Sequence, residues 1–170
     1  INNFNFCEEI HFENGLLLFW EDHFFRIMSS LRRLRFDTPL SFDKEFLKNE
    51  LIKTIRANKL QEKSGNIKFY FYSELNDNKI DYIIYLNYSE PYNKIKSKDL
   101  SICDIYTEEL IKAGLLSNLS ITNRTIRRIA SMFSVENGFD SCIILNDKKN
   151  IVESTINNIY LIKKNKIITT

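Results

Sequence analysis

Glycine and proline are scarce in this chain of 170 residues, which holds four Gly and two Pro. Its turns must therefore come from Asn, Asp, Ser and Lys. Cysteine is sparse as well: Cys7, Cys103 and Cys142 are odd in number, far apart and never in a C-x-x-C pair. That argues against a disulfide framework, and thiols in apolar stretches are expected to be buried and reduced. An excess of one charge is also missing. Lys and Arg number 24 against 22 Asp and Glu, a net +2, so no field for nucleic acid or an anionic membrane surface is expected. The longest apolar run, Gly15–Trp20, is far too short to span a bilayer. The opening INNFNFCEEI carries neither the basic start nor the small-residue cleavage site of a secretory leader, and a cytoplasmic location is expected. The chain starts without Met and stops inside KIITT, which reads as a strand, so both ends read as cut. His11 and His23 have no cysteine or acidic cluster at ligand spacing, which argues against zinc. Dinucleotide, Walker-A and G-x-S-x-G signatures do not occur.

What is present points to a folded protein, with 44% hydrophobic and 13% aromatic residues. Gly15–Trp20 reads as a buried strand. Phe24, Ile27, Met28, Leu31 and Leu34 then recur at helical spacing, with Glu21 and Asp22 favourably placed at the helix start. Asp37-Thr-Pro39 ends that helix, and Ser41-Phe-Asp-Lys-Glu resembles an N-cap opening a second one through about Ala57. Ile67–Tyr72 and Tyr82–Tyr88 are aromatic and β-branched, and read as an antiparallel pair around the turn Glu74–Asn78. After a polar joint come a strand near Ile102–Tyr106, a short helix near Glu108–Ala113, and a helix marked by Ile126, Ile129, Ala130 and Phe133. Asn137-Gly138 closes that last helix. Strands are expected at Ser141–Leu145, Ile151–Ser154, Ile159–Ile162 and Lys166–Thr169. The fold class is α+β in two lobes: residues 1–90, a connection at 91–100, and residues 101–170.

Three stretches carry chemistry-bearing residues. FWEDHFFRIMSSL, Phe19–Leu31, sets His23 three residues before Arg26. SNLSITNR, Ser117–Arg124, lies between apolar runs, and NGFDSCIILNDKKNIVESTINNIYLI, Asn137–Ile162, centres on Glu153. In this order they resemble the fold-type-IV pyridoxal-phosphate enzymes: branched-chain and D-amino-acid aminotransferases and aminodeoxychorismate lyases. The first is similar to that family's H-x-x-R-L, the second to L-S-x-L-K-x-x-N-R. The third is similar to G-x-D-E-A-L-L-L-(N/D) followed by V-x-E-(G/A)-x-x-x-N-L-F. The resemblance spans nearly the whole chain and is closest toward its C-terminal end.

The resemblance implies a role for each matching position. Glu153 would accept a hydrogen bond from the cofactor's protonated pyridine nitrogen, keeping the ring an electron sink. Arg26 would grip the phosphate, which a planar guanidinium suits. Read without the family, these are a solvated strand carboxylate and an exposed helix arginine. His23 fits a packing or capping role better than proton transfer. Asn158 matches the asparagine of N-L-F and Asn123 that of K-x-x-N; both would organise backbone near the cofactor. Ser154, Thr155 and Asn157 stand where the family has smaller residues, which would crowd the site.

Aligned without insertion, Ser120 occupies the place of the family's lysine. That amine forms the imine with pyridoxal 5′-phosphate and shuttles the substrate proton. A hydroxyl cannot form an imine, and acid–base catalysis alone is worth about 10²–10⁴-fold. The family also continues past the strand at Lys166–Thr170 into a loop that completes the phosphate cup and the large lobe. The expectation is therefore an incomplete or degenerate class IV aminotransferase-like protein. Its inherited chemistry would be amino-group transfer between an amino acid and a 2-oxo acid, or lyase action on a chorismate-derived amine. The alternative is a non-catalytic subunit, as a homodimer or paired with an intact paralogue, or a metabolite-binding paralogue. Arg32, Arg33, Arg35, Arg124, Arg127 and Arg128 read as solvated helix faces rather than a nucleic-acid patch.

Overall fold

The computed structural model describes residues 4–73, 79–89, 101–120 and 124–169. The chain divides into two compact units, each combining helix and strand. The first comprises Ile1–Ile95 with Leu119–Thr122, the second Lys96–Asn118 with Asn123–Thr170. The turn expected at 74–78 and most of the polar joint, 90–100, lie outside the described residues.

The first unit is an antiparallel sheet in the order β2-β1-β3-β4 with two helices. Its strands are β1 (Phe4–Glu13), β2 (Leu16–Leu17), β3 (Ser64–Ser73) and β4 (Asp81–Ser89); its helices are α1 (Trp20–Arg33) and α2 (Lys44–Ala57). Period-two alternation buries Ile67, Phe69 and Phe71 of β3, while the residues between them are only half-buried. These meet Phe6, Ile10 and Phe12 of β1, Ile27 and Leu31 of α1, and Leu47, Leu51 and Ile55 of α2. Each fully buried side chain of this kind contributes about 1.5–3 kcal/mol. The cap of α2 is Asp43, whose carboxylate accepts from the Phe46 amide at 2.7 Å. The expected β3–β4 pairing is observed, Ile67 opposite Leu86 and Phe69 opposite Ile84.

Two expectations change here. Gly15–Trp20 is not a six-residue buried strand. Asn14 and Gly15 turn the chain at φ 49° and 74°, as a two-residue hairpin requires, and a Cβ on Gly15 would meet the Gln61 carbonyl oxygen at 2.9 Å. The returning strand β2 is two residues long, because Phe19 adopts a left-handed φ of 50° and Trp20 already opens α1. Second, β1 is a ten-residue strand that the sequence reading did not anticipate.

In the second unit, β5 (Cys103–Ile111) runs parallel to β6 (Ser141–Asn146), with α3 (Thr125–Glu136) between them in sequence. Antiparallel β7 (Ile151–Ser154) completes the order β5-β6-β7, and β8 (Tyr160–Lys163) and β9 (Lys166–Thr169) form a separate hairpin. Its core is small: Tyr106, Ala130, Cys142 and Ile144, flanked by Ile111, Ile126, Phe133 and Phe139. The helix expected at Glu108–Ala113 is strand through Ile111, since that residue pairs with Asn146 after a register shift. Sheet pairing outweighs the helical propensity of Glu-Glu-Leu. α3 closes as expected: Gly138 at φ 74° lets the Phe139 amide donate to the Ser134 carbonyl at 2.8 Å. Of the cysteines only Cys142 is buried; Cys7 is half-buried and Cys103 exposed.

Candidate functional site

In the first unit the chemistry gathers around a buried acid. Phe6, Glu8, Ile10 and Phe12 are the inward positions of β1, so strand geometry carries Glu8 into the core side of the sheet at 5% exposure. One of its carboxylate oxygens, Oε1, is met by three groups from α1. They are His23 Nδ1 at 2.6 Å, Arg26 Nε at 2.9 Å and Arg26 Nη2 at 2.7 Å. His23 and Arg26 are one helical turn apart and therefore share a face. Arg26 Nη2 also lies 2.8 Å from His23 Nδ1. That nitrogen cannot both donate and accept, so the assignment with His23 and Arg26 all donating serves the three contacts to Glu8 and leaves the Nη2–Nδ1 approach as one between two donors.

The outcome is an oriented cation. The Arg26 side chain keeps 60% of its surface exposed while its buried partner keeps 6%. Charge-assisted bonds of this kind fix the guanidinium plane. Beside it is a hollow of about 520 Å³ lined by Phe19, Asp22, His23, Phe25, Arg26 and Ser29. His23 is thus neither a free base nor a packing residue alone: it holds the acid that holds Arg26. Sequence reading missed Glu8, although Phe-x-Glu-x-Ile-x-Phe marks an acid in a core-facing register.

Ser120 belongs to this same unit. Its carbonyl accepts from the Cys7 amide at 3.0 Å, along the edge of β1 next to Glu8. Ser120 therefore runs beside the strand that organises Arg26. The structure describes no residue at 121–123, so Asn123 lies outside the described residues.

In the second unit, Glu153 stands on β7 opposite Ile144 of β6. Arg127, in the first turn of α3, approaches it side-on: Nε donates to Oε1 at 3.1 Å and Nη2 to Oε2. The pair is 30% and 29% exposed, so Arg127 is not the solvated helix cation expected from sequence, whereas Arg124 and Arg128 are exposed. Beyond Glu153 the hydroxyls turn inward. Ser154 Oγ accepts from the amides of Ile156 and Asn157 at 3.2 and 2.8 Å. Thr155 Oγ1 is 3.0 Å from Ser141 Oγ and accepts from the Cys142 amide at 3.2 Å. They brace the end of β7. Asn158 is exposed between β7 and β8.

Among the described residues no cluster of His, Cys, Asp and Glu is arranged to hold a metal ion, and no helix is long and apolar enough to cross a membrane. No curated protein is similar enough in sequence to match. Solved structures do match. A protein of Legionella pneumophila assigned as a 4-amino-4-deoxychorismate lyase superposes with a TM-score of 0.79 at 20% identity, over 97% of this chain and 61% of that one. The branched-chain amino acid aminotransferase of Escherichia coli gives 0.78 at 16% identity, over 98% and 58%. That of Thermobaculum terrenum in its PLP-form gives 0.76 at 22%, over 97% and 57%. The chain thus has a two-lobed α+β fold of this type and spans about three-fifths of the length of these relatives. The family model for class IV amino-transferases matches residues 5–170, and the chain belongs to that family.

Proposed function

We propose that this chain is a class IV aminotransferase-like protein with little or no turnover as it stands. One sequence observation supports the reading: the resemblance aligns Ser120, whose carbonyl accepts from the Cys7 amide of β1, with the family's amine. Pyridoxal phosphate, when bound, supplies an electron sink for charge developing at a substrate α-carbon. The residues here fit that group at one end only. Arg26 fits its phosphate, because Glu8 and His23 hold an exposed guanidinium in a fixed plane beside a hollow. Ser120 does not fit its aldehyde, since a hydroxyl cannot condense to an imine. Glu153 does not fit its ring nitrogen as it stands, because both carboxylate oxygens are on Arg127.

By descent the inherited substrates are an amino acid with a 2-oxo acid, or a chorismate-derived amine. Asn158 and Asn123 take the family's backbone-organising positions. The setting proposed is cytoplasmic, as a homodimer or with an intact paralogue. A second reading, metabolite binding without turnover, is favoured by the Arg26 cluster, which is fully organised although the amine is gone.

The test is direct. Pyridoxal 5′-phosphate is added, the visible spectrum recorded, and the mixture reduced with borohydride before mass analysis. No covalent adduct is expected; an adduct on any lysine overturns the reading. Ser120→Lys is expected to bring back Schiff-base absorbance, and its failure to do so in a folded variant counts against the alignment.

A further inference from the structure

Two acids in this chain are held by arginines in different ways. Arg26 touches one oxygen of Glu8 and keeps most of its surface outward. Arg127 instead sets its fork against both oxygens of Glu153. In that arrangement two N–H bonds run parallel into one carboxylate, its charge is compensated, and its best-directed lone pairs are filled. The pair is about two-thirds covered, so water competes less than at an open surface. The backbone on either side of Glu153 is also braced. On one side β7 is hydrogen-bonded to β6. On the other, Ser154 takes the amides of Ile156 and Asn157, and Thr155 is bonded to Ser141 and Cys142. The carboxylate is thereby presented to α3.

We propose that Glu153 and Arg127 form an ion-pair tether between β7 and α3, and that Glu153 does not serve as acceptor for a protonated heterocyclic nitrogen. A pyridoxal-type ligand would then be recognised at its phosphate end alone. This last point rests on reading Arg26 as the anion site; the tether rests only on the second unit. An incoming ring N–H would have to displace a guanidinium donor from a carboxylate it already neutralises. The hydroxyl bracing explains the departure from small residues after the glutamate, since Ser154 and Thr155 fix the strand end from which the tether reaches.

The experiment has two arms on the chain. In the first, the thermal midpoints of Arg127→Glu, Glu153→Arg and the exchange variant carrying both are compared. Each single change is expected to lower the midpoint by about 2–4 °C, the shift that roughly 1 kcal/mol gives in a chain of this size, and the exchange is expected to recover most of the loss. A folded exchange variant supports the tether even if a single variant fails to fold. An exchange variant no more stable than the worse single one overturns it. In the second arm, inorganic phosphate, pyridoxal and pyridoxal 5′-phosphate are titrated into the native chain and Glu153→Gln. Phosphate and pyridoxal 5′-phosphate are expected to compete, pyridoxal is expected not to bind, and Glu153→Gln is expected to leave both affinities unchanged. A loss of about tenfold or more for pyridoxal 5′-phosphate with phosphate unaffected overturns the inference. Arg26→Gln is read separately: undiminished phosphate binding there, or no binding to the native chain, sinks the anion-site reading, and the tether is still decided by the exchange.

Discussion

The two units solve the same problem at different scales. The first buries Phe6, Ile10, Phe12, Ile67, Phe69 and Phe71 from three-strand pairing and lays two helices on them. The second has Tyr106, Ala130, Cys142 and Ile144 as its fully covered apolar set. Where apolar area is large, a buried acid can be carried and used to aim a cation outward, as Glu8 aims Arg26. Where it is small, acid and cation are spent on each other, as Glu153 and Arg127 are. In the first unit an acid holds a cation that stays exposed, and in the second an acid and a cation cover each other.

The largest expected effect tests the first half of that contrast. Phe71→Ala removes a fully buried ring that packs on Phe6 and Phe69 and should cost about 3–5 kcal/mol in denaturant unfolding. Ile144→Ala, also fully buried but in the smaller core, should cost about 2 kcal/mol, the low end for such truncations. Equal losses would erase the distinction. Arg26→Ala strips Glu8 of two of its three donors and should cost about 1 kcal/mol; if Arg26 is the anion site proposed above, it should also abolish phosphate binding. A loss of binding with no change in stability would mean the acid finds water instead. Asp43→Ala, which removes the cap of α2, should cost about 1 kcal/mol and be independent of all of these.

A pH profile sharpens the same picture. The Tyr82 hydroxyl is pushed up from an ordinary 10 to about 12 by burial and by its bond to the Glu50 carboxylate. Below pH 10 the proton is on in both folded and unfolded chains, and this contribution is fully present. Between pH 10 and 12 the unfolded chain has lost the proton and the folded chain keeps it, so stability drains away as pH rises. Tyrosinate absorbance alongside a fold-sensitive signal should show the two moving together. Tyr82→Phe should flatten that part of the profile, though Tyr70 and Tyr106 are raised as well, each chiefly by burial.

Regular patterns were legible in the sequence, and exceptions were not. The apolar alternation of β3 and the helical spacing from Phe24 to Leu34 reported their elements directly, because burial follows the backbone period. β1 was hidden by the very residue that matters: Glu8 interrupts Phe6, Ile10 and Phe12 as an acid in a core slot. The apolar run after Asn14-Gly15 drew the strand reading, although the Asn-Gly pair itself marks a hairpin. Arg26 and Glu153 were singled out through their motifs. Their partners were not, because Glu8 and Arg127 lie 18 and 26 residues away along the chain and only folding brings them close.

Glu8 also polices how β1 lies against β3. Shifting that strand by a single position would expose Phe6, Ile10 and Phe12 and send Glu9, His11 and Glu13 toward the hydrocarbon side. Native alignment asks the interior to accommodate one ionisable side chain, and α1 brings the counter-groups for it. Any slipped alignment asks for three with none prepared. The acid thus helps choose the pairing in which it is itself satisfied.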